Sequence, residues 1–313
     1  MENQNLPNTN DLSWCGGFFD GEGSFSFAPK CPSVGIVNTN PIAVTKFMST
    51  MKKNNVNFKI TERSKPSKSS KKKRWDMYLL DGDEIRKFLI LMEEYIHGKN
   101  FQLQLLKNFY DENYLKLRSY SNIIKDYHEL MMYYNQSSHI LIKDEKKLFE
   151  KIGYTPQVLQ HQMISDDNKK INYSDFNNIY YLSGIIDAEG TVYINRVDQK
   201  KYDGNRYIPS VSFTNTNKSI IEKCCSTLKN SEIGHYIYFR VPETRNRGRW
   251  DISISGVRRC KSVCELLKNK LVIKNRQIDL LYEYCEMRLN NLMDFNQFGD
   301  SFKESIESLN SEN

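Results

Sequence analysis

Apolar and polar residues alternate with a period of two through several short stretches of this chain, and with a helical period through others. After Glu189, Val192 and Ile194 point one way, while Thr191, Tyr193 and Asn195 point the other. Val211 and Phe213 are apolar where Ser210, Ser212, Thr214 and Thr216 are polar, and Trp250, Ile252 and Ile254 oppose Arg249, Asp251 and Ser253. Such alternation predicts half-buried antiparallel strands, with helices on the apolar face and a polar face left open. Earlier in the chain the pattern is looser: Ser24, Ser26 and Lys30 fall on the polar side, but Val37 takes the place of Thr214. Helical periodicity covers 41–51, 84–95, 218–228 and 257–269.

These elements occur twice in one order. Residues 15–23 read Cys-Gly-Gly-Phe-Phe-Asp-Gly-Glu-Gly and residues 182–190 read Leu-Ser-Gly-Ile-Ile-Asp-Ala-Glu-Gly. Each is followed by a strand closing on Asn-Thr-Asn, at 38–40 and 215–217, and by a helix. A strand (58–63; 236–240), a basic loop and a strand opening on Arg-Trp-Asp come next, at Arg74-Trp75-Asp76 and Arg249-Trp250-Asp251. A further helix then precedes Lys99-Asn-Phe-Gln102 or Lys274-Asn-Arg-Gln277, where another helix opens. Agreement over about 90 residues per half identifies a duplicated α-β-β-α-β-β-α-α module. The expected organisation is an α+β first module at 1–110, a helical or flexible insertion at 111–178, a second module at 179–295 and a polar, fraying tail at 296–313. Within the insertion, 123–134 and 145–152 read as helical patches and 165–170 as a polar run.

The chain of 313 residues is long enough for two cores, and 39% hydrophobic residues plus 15 glycines is near the ordinary globular share. No apolar run approaches the roughly 18 residues of a membrane span, and the first residues lack the basic start and apolar stretch of a signal peptide. Seven cysteines, none in a CxxC pair, argue against a zinc site or disulfide framework and for a reducing compartment. A net charge of +7 is only suggestive; its placement says more.

Placement points to chemistry. Glu22 and Glu189 each follow an apolar helix containing a glycine, Gly17 or Gly184, which suggests two helices crossing closely. Two carboxylates brought together at helix C-termini repel one another and call for a cation. Oxygen donors without His or thiolate favour Mg²⁺ completed by substrate phosphate. Lys99 and Lys274, each just before a helix, could stabilise charge at a phosphate or help activate water. Asn40 and Asn217 could position a water, although a strand-end Asn is often a turn residue. Residues 63–74 hold seven basic residues and no acid, and the matching loop holds Arg240, Arg245, Arg247 and Arg249 against Glu243. Two such loops at the same hairpin look like clamps on a polyanion. The expected contact set on the open faces is Ser24, Ser26, Lys30, Lys59, Thr61, Arg63, Lys73, Arg74 and Asp76 in the first half. In the second half it is Thr191, Tyr193, Asn195, Ser210, Ser212, Thr214, Tyr238, Arg240, Arg247, Arg249 and Asp251.

The doubled motif with its flanking strands resembles the LAGLIDADG homing endonucleases in their two-motif, single-chain form. The resemblance implies a saddle of two antiparallel sheets in the major groove, with the motif helices at the domain interface and Glu22 and Glu189 over the central minor groove. It further implies a monomer acting on double-stranded DNA with a long asymmetric target, cutting one phosphodiester per strand to leave short 3′ overhangs. The metal ligands would be Glu22 and Glu189, assisted by the carbonyls of Gly21 and Ala188, around two or three Mg²⁺ ions that Mn²⁺ can replace. Lys99 and Lys274 match the family's basic residue, Asn40 and Asn217 its water-contacting position, and Asp76 and Asp251 a strand position near the site. A Cys stands in place of the first motif's usual Leu, and the linker exceeds a simple tether.

The leading expectation is a site-specific, metal-dependent DNA endonuclease serving intron mobility. The alternatives are an RNA maturase on the same scaffold, with host intron RNA as partner, and a non-catalytic DNA-binding regulator. The regulator predicts degraded acidic positions, which the sequence does not show. No membrane partner is expected. The Asn, Lys, Ile and Tyr richness suggests an A·T-rich genome, and hence an organellar, phage or bacterial intracellular setting.

Overall fold

The computed structural model describes residues 8–28, 31–63, 73–113, 121–136, 170–198, 205–241, 248–292 and 295–312. It divides into two units, Met1–Lys170 and Ile171–Asn313. The first runs α1 (Thr9–Glu22), β1 (Gly23–Ala28), β2 (Cys31–Asn38), α2 (Pro41–Lys53), β3 (Lys59–Arg63), β4 (Arg74–Leu79), α3 (Gly82–Met92), α4 (Asn100–Asn113) and α5 (Ser121–Gln136). The second repeats that order as α6 (Ile179–Glu189), β5 (Gly190–Asp198), β6 (Asn205–Asn215), α7 (Lys218–Asn230), β7 (Tyr236–Arg240), β8 (Arg249–Ser255), α8 (Val257–Leu267), α9 (Asn275–Leu289) and α10 (Phe295–Glu312). The expected α+β module is therefore present in both units, one helix longer than the repeat suggested.

Each unit holds one antiparallel sheet, ordered β1-β2-β4-β3 and β5-β6-β8-β7. The period-two pattern sorts side chains as expected: Phe25, Phe27, Val34, Ile36, Met77 and Leu79 are buried on one face of the first sheet. Val192, Ile194, Val211, Phe213, Ile252 and Ile254 do the same in the second. Core chemistry differs between the copies. Phe18, Phe19, Phe25 and Phe27 stand where the second unit has Ile185, Ile186, Val192 and Ile194. The first core is consequently a ring cluster, with Phe19 centred 5.0 Å from Phe25 and 5.2 Å from Phe88. The second is aliphatic, filled out by Cys224, Cys225, Cys260, Cys264 and Cys285. These five and Cys15 are free and buried, which fits the absence of a disulfide framework among the described residues.

The extra helix of each unit covers an edge strand, where unpaired backbone groups would otherwise invite association. The Asn135 amide donates to the Phe25 carbonyl on β1 at 2.6 Å, and the Asn310 amide donates to the Val192 carbonyl on β5 at 2.8 Å. Phe25 and Val192 hold equivalent positions in the strands that follow the two motifs. The 123–134 helical patch is thus part of α5, whereas 145–152 and all of 165–170 except Lys170 lie outside the described residues. The segment expected to fray forms α10, with Ile306 buried and Phe302 centred 5.6 Å from Tyr284. Its polar composition hides an apolar stripe at helical spacing.

Residues 171–178, read as the end of the insertion, dock on α7. The Ser174 N–H donates to Ser226 Oγ at 2.9 Å, the Asn178 N–H to Thr227 Oγ1 at 3.2 Å, and the Asn230 amide to the Phe176 carbonyl at 3.1 Å.

Candidate active site

Each motif ends a helix at its glutamate. Asn8 caps α1 and Asn178 caps α6, and the glycine after each glutamate turns the chain into a strand. That glycine is required by space rather than by a left-handed backbone, since φ is −75° at Gly23 and −80° at Gly190. A Cβ at Gly190 would lie 2.4 Å from the Ile186 carbonyl oxygen, and one at Gly23 would lie 2.5 Å from the Phe19 ring.

The motif aspartates, to which sequence reasoning gave no role, organise what surrounds the glutamates. Asp20 is buried and accepts from the backbone N–H groups of His97 (2.8 Å), Gly98 (2.8 Å) and Lys99 (2.9 Å). Asp187 likewise accepts from Val272 (2.7 Å), Ile273 (3.0 Å) and Lys274 (3.1 Å). These donors lead into α4 and α9, where N–H groups lack helical partners and partial positive charge favours a carboxylate. The lysines complete the exchange. Lys99 Nζ donates to the carbonyls of Phe19 (3.0 Å) and Asp20, and Lys274 Nζ donates to that of Asp187 (2.5 Å). An ammonium at a helix C-terminus satisfies carbonyls that lack a partner and offsets the negative dipole end. Each lysine is thereby held one or two residues from the carbonyl of Gly21 or Ala188 and from the acid itself. The signal was present in the sequence, since Asp recurs at the same place in both motifs.

Asn40 and Asn217, expected to position a water, also cap helices through their side-chain oxygens. Asn40 Oδ1 accepts from Ile42 N (3.0 Å) and Ala43 N (3.2 Å), capping α2, and Asn217 Oδ1 accepts from Ser219 N (2.9 Å) and Ile220 N (3.4 Å), capping α7. Asn38 touches the acid: its amide donates to Glu22 Oε1 at 3.2 Å while its own oxygen accepts from Asn40 N at 2.7 Å. Asn215 repeats that second bond to Asn217 N at 2.8 Å. Proline directly after Asn40 marks a helix cap, and that signal could have separated the two asparagines.

The polar faces follow the strand register. Ser24, Gly35, Tyr78 and Lys59 form one row across the first sheet, and Thr191, Ser212, Ser253 and Tyr236 form the matching row of the second. Ser24, Lys59, Thr61, Arg63, Lys73, Thr191, Asn195, Tyr238, Arg240 and Arg249 are exposed, while Ser26, Arg74, Tyr193, Ser212 and Thr214 are half-buried. Three expected contacts are covered rather than open. Ser210 is 2% exposed and bonds Ser255 Oγ at 3.1 Å, lying in register between Tyr193 and Ser255. Asp251, buried, and Asp76, mostly covered, are each flanked by two arginines: Arg240 and Arg249 at one, Arg63 and Arg74 at the other. Lys30, Arg245, Arg247, Glu243 and residues 64–72 of the first basic loop lie outside the described residues.

Among the described residues, no group of three or more His, Cys, Asp or Glu side chains is arranged to hold a metal. Each unit instead offers one carboxylate at a helix end, an oxygen donor set that fits a hard divalent cation completed by phosphate and water. No described helix is long and apolar enough to cross a membrane.

Residues 176–268 match the family model of the LAGLIDADG-like domain. No curated protein matches the sequence. Among solved structures, the chain resembles the LAGLIDADG homing endonuclease I-LtrWI bound to target DNA, at 14% identity and a TM-score of 0.63, over 96% of this chain and 97% of that one. It resembles the LAGLIDADG meganuclease I-AabMI bound to uncleaved DNA at 12% identity and a TM-score of 0.61, over 95% and 97%. The LAGLIDADG homing endonuclease I-SmaMI bound to cleaved DNA matches at 12% and 0.60, over 95% of each chain. With the motif helix, sheet and lysine latch present in both copies, the second unit is a LAGLIDADG-like domain and the chain has, over nearly its whole length, the fold of the LAGLIDADG endonucleases.

Proposed function

We propose that this protein is a site-specific endonuclease acting on double-stranded DNA, in which each unit supplies one acid for the cut in one strand. The observation that carries this reading is the repetition of a complete local apparatus. Glu22 and Glu189 end equivalent helices, each beside a lysine latched by a buried aspartate. Neither copy has lost its acid, its lysine or its glycine. The fold is shared with proteins solved on uncleaved and cleaved DNA. Open sheet faces bearing Ser, Thr, Tyr, Lys and Arg suit base edges and phosphates.

Glu22 and Glu189, with the carbonyls of Gly21 and Ala188, would hold divalent cations, Mg²⁺ foremost. Bound there, such an ion acts as a Lewis acid on a phosphoryl oxygen and lowers the pKa of a water. Asn38 keeps the Glu22 carboxylate in one orientation through its amide. Lys99 and Lys274, pinned to the helix ends, set a fixed positive charge close to each acid, where a phosphodiester gains negative charge during cleavage. The lysines are held by the fold, so that charge needs little reorganisation during reaction.

The test uses a plasmid carrying the joined sequences that flank the protein's own coding element. Linear product that forms with Mg²⁺, stops with EDTA and is lost in Glu22→Gln is the expected outcome. Tight, sequence-specific binding with no strand break in Mg²⁺ or Mn²⁺ would overturn the endonuclease reading in favour of a DNA-binding regulator.

A further inference from the structure

Both sheets repeat an arrangement that sets like charges against each other. Arg63 faces Arg74 directly across β3 and β4, and Arg240 faces Arg249 across β7 and β8. Like charges opposed on adjacent strands repel. In each unit one carboxylate offsets the clash: Asp76 or Asp251, two residues along the strand and diagonal to the other arginine. Arg63 Nε lies 2.5 Å from Asp76 Oδ2 and Arg74 Nε lies 3.3 Å from Oδ1. Arg240 Nε pairs with Asp251 Oδ2, and Arg249 Nε lies 3.2 Å from Oδ1.

Three features separate this from an ordinary surface ion pair. The anion is covered and the cations are not: the Asp76 side chain is 13% exposed against 60% and 37% for its arginines. For Asp251 the values are 12% against 67% and 50%. In all four arginines Nε is the nitrogen nearest the carboxylate, so the acid meets the side edge of each guanidinium and the end edge formed by the two Nη groups is not the edge engaged. Asp76 Oδ1 and both Asp251 oxygens lie at ion-pair distance without hydrogen-bond alignment, so the pairing leaves the acid unsaturated.

We propose that Asp76 and Asp251 are positioning residues that hold two arginine forks side by side for bidentate readout of base edges, guanine O6 and N7 foremost, in the half-site that each unit covers. This rests on the DNA-endonuclease reading above and assigns the aspartates an indirect role in place of the direct contact expected from sequence. An arginine fork matches the guanine acceptor pair, and fixing it in advance lowers the ordering cost of binding.

The experiment selects sequences from a randomised double-stranded DNA library with the full-length wild type, Asp76→Asn, Asp251→Asn, Arg63→Lys and Arg240→Lys. The affinity of each for every single base-pair change of the selected site is then measured, with melting temperature and salt dependence. Asp76→Asn should lose roughly 5- to 150-fold discrimination at one or two neighbouring positions of one half-site, and Asp251→Asn should do so in the other. Each Arg→Lys variant should lose the same discrimination as its aspartate partner while keeping the salt dependence, because lysine retains charge but not the fork. Uniform weakening over all duplexes with a lowered melting temperature would reduce the aspartates to a structural role. Uniform weakening with a shallower salt dependence would make the arginines phosphate contacts, and either result overturns the proposal. An unchanged profile in the aspartate variants overturns it while leaving the endonuclease reading intact. A wild type that enriches no sequence overturns both.

Discussion

Asp20 and Asp187 show how much one buried side chain can settle. Each accepts three backbone N–H groups and, through them, fixes the start of a helix and the lysine at its head. Asp187→Ala leaves those donors buried without a charged acceptor, and an unmade bond of this type costs roughly 1–3 kcal/mol. Chemical denaturation should therefore show a loss of about 3 kcal/mol or more, with cleavage falling further than stability explains because Lys274 loses its anchor. A loss under about 0.5 kcal/mol would contradict the latch. The cysteines tell a plainer story at the same scale. Burial pushes the thiols of Cys225 and Cys285 up from 9.0 to about 12. A raised folded value means that the folded state holds its proton more tightly, so this contribution is full below pH 9.0 and fades as pH climbs towards 12. Urea titrations from pH 8 to 11 should show declining stability, and the six described thiols should resist a thiol reagent at pH 8 until the chain is unfolded.

At the scale of elements, close approach and edge protection carry the fold. A Cβ at Gly16 on α1 would sit 2.2 Å from the Tyr95 carbonyl oxygen, so α1 and the turn after α3 touch through backbone. The second unit has Ser183 at the equivalent position, with its hydroxyl bonded to the Tyr180 carbonyl at 2.8 Å. Gly16→Ala should cost about 1–3 kcal/mol as overpacking, read by thermal melting. Sequence reading singled out Gly17 and Gly184 for a helix crossing and did not mark Gly16, because a repeated motif does not show which face meets which neighbour. Helix α10 makes the complementary point. Ile306 is fully buried and Asn310 binds the edge strand, so Ile306→Ala should destabilise the protein by about 2–5 kcal/mol. A frayed tail would lose nothing, and a denaturation curve distinguishes the two outcomes.

For the whole molecule, two units with the same apparatus imply that strand cuts separate when one apparatus is disabled. Glu22→Gln should nick supercoiled target plasmid and not linearise it, and EDTA should abolish cleavage while leaving specific binding measurable by gel shift. Linear product at the wild-type rate from Glu22→Gln would remove the acid from the mechanism. The duplication, the element order and both acids were legible in the sequence, because strand alternation, helical periodicity and a repeated motif are local properties of the chain. So was the LAGLIDADG resemblance, carried by those same residues. Tertiary structure decided what depends on neighbours distant along the chain. It gave Asp20 and Asp187 a latch, brought the Asn38 amide onto Glu22, buried Ser210, and set Asp76 and Asp251 beneath arginine pairs. Residue type tells what a side chain can bond, but partners some 70 to 90 positions away, as at the Asp187–Lys274 latch, are fixed only when packing and register bring them within hydrogen-bond reach.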